Sequence, residues 1–131
     1  MEIKLTQVES EKLFYDALCN AVGTGYMESY GIELECDRSQ YKSSKDHLLT
    51  TGKSCCYEDV LMQVLHDGGK LTFTDHEGEG DMTRSITLTD VHERVQKAPA
   101  RSLINMLQEG GDASDSDQVI QTVFFEEVVF G

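Results

Sequence analysis

The side chains in this sequence that could do chemistry are four cysteines, four histidines and several groups of carboxylates. Cys55 and Cys56 are adjacent, at the expected start of a helix, where the helix dipole would favour a thiolate. Cys19 falls on the apolar side of an expected helix, and Cys36 at the end of an expected strand. No Cys or His pair has the short spacing of a zinc site, such as C-x-x-C or H-x-x-x-H. The reading is therefore of reduced structural thiols and no metal. His66 stands next to Asp67, and His92 lies between Asp90 and Glu93, so either could form an acid/base unit with a neighbouring carboxylate. No serine or cysteine nucleophile is tied to them by a recognisable motif, and no catalytic residue or cofactor is assigned.

Two motifs come close to known ligand sites and depart from them. Thr51-Gly52-Lys53-Ser54 looks like the end of a phosphate-binding loop, but the first glycine of that pattern is replaced by His47. Asp75, Glu77, Glu79 and Asp81 alternate with His76, Gly78 and Gly80, as in a calcium loop. The closing bidentate glutamate of such a loop is Ile86 here, and the segment sits at a hairpin tip. A solvated acidic turn is the simpler reading, and an acidic knob that faces a partner is the alternative. Asp112, Asp115 and Asp117 form a second acidic group, explained by helix capping.

Charge narrows the partner. The 131 residues hold 11 Lys and Arg against 24 Asp and Glu, a net charge of −13. Residues 38–53 are the exception, with Arg38, Lys42, Lys45 and Lys53 against Asp46. That stretch is net +3, so the remainder carries −16. Such a chain does not bind a nucleic-acid backbone generically, which requires cations to replace counterions. It suits a basic protein surface. The carboxylates expected to carry that contact are Asp75, Glu77, Glu79 and Asp81, with Glu58 and Asp59 as secondary candidates. Two alternatives remain open. One is an assembly or self-oligomerising protein, with a homodimer formed through the threonine-rich hairpin face and the apolar C-terminus, Phe124, Phe125, Val128, Val129 and Phe130. The other is a protein that sequesters a small anion with Arg38, Lys42, Lys45 and Lys53, helped by Tyr26, Tyr30 and Tyr41.

The elements that position these residues follow from periodicity. Thr6 and Glu9 fit a capping box, with Ser10 as a second cap. Phe14, Ala17, Leu18, Ala21 and Val22 then form one helical face, closed by Gly23 and Gly25. Residues 2–5 suit a short edge strand. Ile32, Leu34 and Cys36 alternate with Glu33 and Glu35 as a half-buried strand. Residues 38–53 read as a long loop or marginal helix. Ser54 caps a helix bearing Val60, Leu61, Val64 and Leu65, stopped by Gly68 and Gly69. Residues 70–88 form a hairpin, apolar on one face and threonine-rich on the other. Thr89 caps a short helix broken by Pro99, and Leu103, Ile104 and Leu107 mark another. Residues 117–129 are ambiguous, with capping by Asp115 or Ser116 favouring helix over strand.

The whole is one α+β domain, residues 1–131, with a small antiparallel sheet and helices on one face. No apolar run reaches the roughly 20 residues of a membrane span. The N-terminus lacks a secretory pattern, so a cytoplasmic location is expected. The stretch KLTFTDHEGEGDMTRSITLTDVHERVQKAP, followed by DASDSD and VIQTVFFEEVVFG, resembles small accessory proteins of gut-bacterial phages and conjugative elements. The resemblance implies a small cytoplasmic protein of a mobile element that acts by binding, in a bacterial host cell. It implies no catalytic residue.

Overall fold

The computed structural model describes residues 4–23, 32–52, 56–75, 83–108 and 112–128. Among the described residues, six helices and a three-stranded antiparallel sheet make an α+β arrangement. Helix α1 (Gln7–Gly23) opens with the expected capping box. The Thr6 amide donates to Glu9 Oε1 at 2.9 Å, and the Glu9 amide to Thr6 Oγ1 at 3.1 Å. Leu13, Phe14, Ala17 and Leu18 are its buried face. Ser10 lies inside the helix and is buried, so it is not a cap. Residues 4–6 are irregular, and the rest of the proposed edge strand, like Gly25, lies outside the described residues.

Strand β1 (Ile32–Glu35) pairs with β2 (Leu71–Asp75), which pairs with β3 (Arg84–Ile86), in the order β1-β2-β3. The register puts Leu34 opposite Phe73 and Leu71 opposite Ile86. Leu71, Phe73 and Ile86 are buried, as the period of two requires. The other face is polar. Thr72 and Ser85 share a 2.8 Å hydroxyl bond, and Thr74 donates to Glu35 at 2.9 Å. The second strand of the hairpin is shorter than its pattern suggests, because Leu88 already belongs to a helix.

Residues 38–50 are a regular helix, α2 (Arg38–Thr50), not a loop. Its N-cap, Asp37, accepts from the Gln40 amide at 3.0 Å. Only Ser44 and Leu48 are buried, so the apolar stripe is too thin to announce a helix. Helix α3 (Tyr57–His66) packs on α2 and buries Val60, Leu61, Val64 and Leu65. Its N-cap is Cys56, not Ser54, which lies outside the described residues. Gly68 (φ 88°) turns the chain out of α3. At Gly69 a Cβ would come within 2.7 Å of Val64 and 2.8 Å of Gln40, so α2 and α3 close here only around glycine.

Helix α4 (Leu88–Arg94) is capped by Thr87 rather than Thr89, with Asp90 completing a capping box. A 3-10 turn, Val95–Lys97, leads to Pro99, which is the N-cap of α5 (Ala100–Leu107). The C-terminal segment is helical, α6 (Ala113–Phe125), capped by Asp112 with Asp115 as its capping-box partner. Residues 116, 117 and 119–124 of this helix are all buried. It runs between α1, α5 and the sheet, and Phe124 stacks on Phe73 with ring centroids 3.7 Å apart. Phe124 and Phe125 therefore belong to the core and its margin, leaving exposed Val128 as the described remainder of the proposed self-contact. No helix among the described residues is long and apolar enough to cross a membrane.

Candidate functional site

The acidic residues first assigned to a partner contact fall into two groups. Asp75 closes β2, while Glu77, Glu79 and Asp81 lie outside the described residues. Glu58 and Asp59 occupy the first turn of α3, both half-buried. Asp59 faces inward along the chain's own surface. Its Oδ2 accepts the Cys56 thiol at 3.0 Å, and it also takes a hydrogen bond from the Tyr15 hydroxyl. That bond, reinforced by burial, drives the Tyr15 pKa far above its ordinary value. Burial also pushes the Cys19 thiol up, against an opposing hydrogen bond with Tyr15. Burial and the neighbouring Asp37 charge do the same to Cys36.

His66 and His92 do not pair with the carboxylates beside them in sequence. His66 from α3 and His92 from α4 both address Glu11 of α1. His66 Nε2 is 2.5 Å from Glu11 Oε1, and His92 Nε2 is 2.9 Å from Glu11 Oε2. Each ring nitrogen takes its own carboxylate oxygen, so the trio ties three helices together. Asp67, the expected partner of His66, instead gathers the α2–α3 seam. Its Oδ2 accepts the Ser44 hydroxyl at 2.8 Å, and its Oδ1 accepts Gln63 at 2.8 Å and faces His47 Nδ1 at 3.2 Å. Burial alone would raise the Asp67 carboxyl. The hydrogen bonds from Ser44, Gln63 and His47, with the His47 charge, outweigh it and hold it below its usual range. Serine, aspartate and histidine thus meet without making a nucleophile–base pair. The Ser44 hydroxyl points at the carboxylate, not at the imidazole.

The basic residues are better grouped. Arg38, Lys42 and Lys45 sit at i, i+4 and i+7 on α2 and share one exposed stripe. Among the described residues, none of the three makes an ion pair. Lys53 lies outside the described residues, as do Tyr26 and Tyr30. Tyr41, three residues after Arg38, turns toward α3, where its ring centroid is 6.0 Å from that of Tyr57. The Tyr57 hydroxyl donates to the Leu34 carbonyl at 3.4 Å. Between the end of β1 and the starts of α2 and α3 opens a cleft of ≈ 670 Å³, lined by Glu35, Cys36, Arg38, Tyr41 and Tyr57. That volume falls in the roughly 300–1,000 Å³ of small-molecule sites.

Tyr57, Glu35 and Glu11 were not singled out by the sequence reading. For Tyr57 and Glu35, recognising residues 38–50 as a helix would have pointed to the cleft wall. For Glu11, no local signal exists. Among the described residues, no group of three His, Cys, Asp or Glu is arranged to hold a metal ion. Comparison with protein-family models, with curated proteins and with solved structures returns no match to this chain.

Proposed function

We propose that this chain is a non-enzymatic interaction protein that binds a basic surface of a partner protein. The observation that carries this reading is the net charge of −13, which remains after 11 Lys and Arg are set against 24 Asp and Glu. Among the described residues, Lys–Asp, Arg–Asp and Arg–Glu pairs are few: Lys12 holds Asp16, and Arg94 holds Asp90 and, more loosely, Glu126. Glu93 and Glu127 are exposed and carry no ion pair among those residues. A field of this sign accelerates encounter with a cationic surface and orients the approach. The internal engagement of Glu11, Asp59 and Asp67 supports binding over catalysis, because these carboxylates already have side-chain partners.

The setting implied by the sequence resemblance is a mobile element in the cytoplasm of a bacterial host. There, cationic grooves that receive nucleic acid are a natural target. An acidic protein seated in such a groove would exclude the duplex and so inhibit a nucleic-acid-processing or defence enzyme. The contact is assigned to Asp75, Glu77, Glu79 and Asp81, with Glu58 as a secondary candidate.

The test is capture of partners by the tagged full chain from bacterial lysate, washed at low and high salt, beside a variant carrying Asp75→Asn, Glu77→Gln, Glu79→Gln and Asp81→Asn. The proposal expects a protein with a basic surface that is retained at low salt, lost at high salt, and lost with the variant. Retention by the variant equal to the parent chain would refute the site. Recovery of the tagged chain alone would refute the function.

A further inference from the structure

We propose that the cleft between β1, α2 and α3 binds a nucleoside phosphate, a function separate from the acidic contact. One ligand class uses the charged and aromatic groups of the lining, Glu35, Arg38, Tyr41 and Tyr57. Arg38 stands at the mouth of the cleft with no ion pair or side-chain hydrogen bond among the described residues, on a protein with a surplus of carboxylates. Its guanidinium fork matches two phosphate oxygens, and Lys42, one turn further along α2 and outside the lining, adds positive charge on the same helix face. Tyr41 and Tyr57 present a tilted aromatic pair, 6.0 Å between centroids and 37° between planes. That spacing admits no ring between them, so the base stacks against the pair and not between its rings. Glu35, already holding the Thr74 hydroxyl through Oε2, is an acceptor at the rim for a ribose hydroxyl or an exocyclic amine.

A bare anion would make no contact that needs an aromatic surface, and a neutral aromatic none that needs Arg38. Charge does not forbid the ligand. Residues 38–53 are net positive, and at physiological ionic strength carboxylates more than about 8 Å away are screened, which leaves Glu35 and Asp37 as the acids nearest Arg38 that the phosphate must avoid.

The test is calorimetric titration of the full chain with ADP, GDP, CDP and UDP, with adenosine and pyrophosphate as fragments. At least one diphosphate is expected to bind with a Kd of about 1 mM or tighter, and each fragment about tenfold more weakly or worse. Arg38→Gln, a substitution on an exposed side chain, is expected to weaken the diphosphate about tenfold while the fold, checked by circular dichroism, is retained. Lys97→Gln, which removes an exposed cation that does not line the cleft, is expected to leave binding unchanged. The proposal is overturned if none of the four diphosphates binds, if Arg38→Gln binds as well as the parent chain, or if pyrophosphate alone binds as tightly as the nucleotide.

Discussion

Glu11 and His92 meet across 81 residues of chain, with Glu11 Oε2 2.9 Å from His92 Nε2. The same carboxylate holds His66 through its other oxygen, so α1, α3 and α4 are tied at one point. The His92 side chain is 18% exposed and the His66 side chain 47%. Water competes with the second bond more than with the first. Glu11→Ala is therefore expected to lower unfolding free energy by about 1–2 kcal/mol, and His92→Ala to cost more than His66→Ala. Urea denaturation at neutral pH measures all three.

Asp67 carries a pH dependence whose sign is fixed. Its folded pKa lies below the ordinary carboxylate value. The stabilisation it brings is therefore present above the unfolded-state pKa of about 4 and is lost as pH falls through the lowered folded value. Asp67→Asn removes this dependence. Its unfolding free energy, followed from neutral pH into acid, is expected to fall less steeply than that of the parent chain. Equal slopes would contradict the role given to Ser44, Gln63 and His47.

Glu126 is the C-cap of α6 and has φ of 65°, the one described non-glycine residue in the left-handed region. The end of this helix is held by Arg94, whose Nη1 donates to the Val123 carbonyl at 2.9 Å, while its Nε lies 3.7 Å from Glu126. The long ion pair is worth little against the strain of a side chain in this conformation. Glu126→Gly is expected to raise stability by about 0.5–1 kcal/mol, after the added backbone freedom of glycine in the unfolded chain. A thermal melt reads the change directly.

The described thiols differ in reactivity for a structural reason. Cys56 is exposed, whereas Cys19 and Cys36 are half-buried and have raised pKa values. Alkylation by iodoacetamide at neutral pH, mapped by peptide mass, is expected to modify Cys56 well before Cys19 or Cys36. Burial favours the neutral thiols, so their contribution to stability is present below the unfolded thiol pKa of about 8.5 and lost as pH rises through the raised folded values.

The faces of α1 and α3, the alternation of β2 and the arrest of α3 at Gly68 were legible because each has one buried side and one wet side. Three features were less so, though a marginal helix was one reading of residues 38–53 and helix was favoured for the C-terminal segment. In α2 the buried stripe reduces to Ser44 and Leu48, and a cap at Asp37 with a serine in the core does not look apolar in sequence. Helix α6 fails in the opposite way. Packed between α1, α5 and the sheet, it buries Ser116, Asp117 and Gln121 along with Val119, Val123 and Phe124, so no polar face marks its period. Gln121 donates to Asp117 at 2.7 Å, which shows how such polar groups are accommodated inside. The third is the cleft and the Glu11 junction. Both are built from residues far apart in sequence, and neither spacing nor composition encodes such meetings. The cations of α2 were visible as a group, but their alignment on one face required the helix.

The central claim is electrostatic recognition of a basic protein, and its most direct measurement is kinetic. The association rate constant of the full chain with the protein it retains from lysate would be determined at about 0.05 M and 0.5 M salt, where the Debye length falls severalfold. The account predicts at least a tenfold drop in association rate at the higher salt, with a much smaller change in dissociation. An association rate that does not respond to salt, or a partner whose contact surface is acidic, would contradict it.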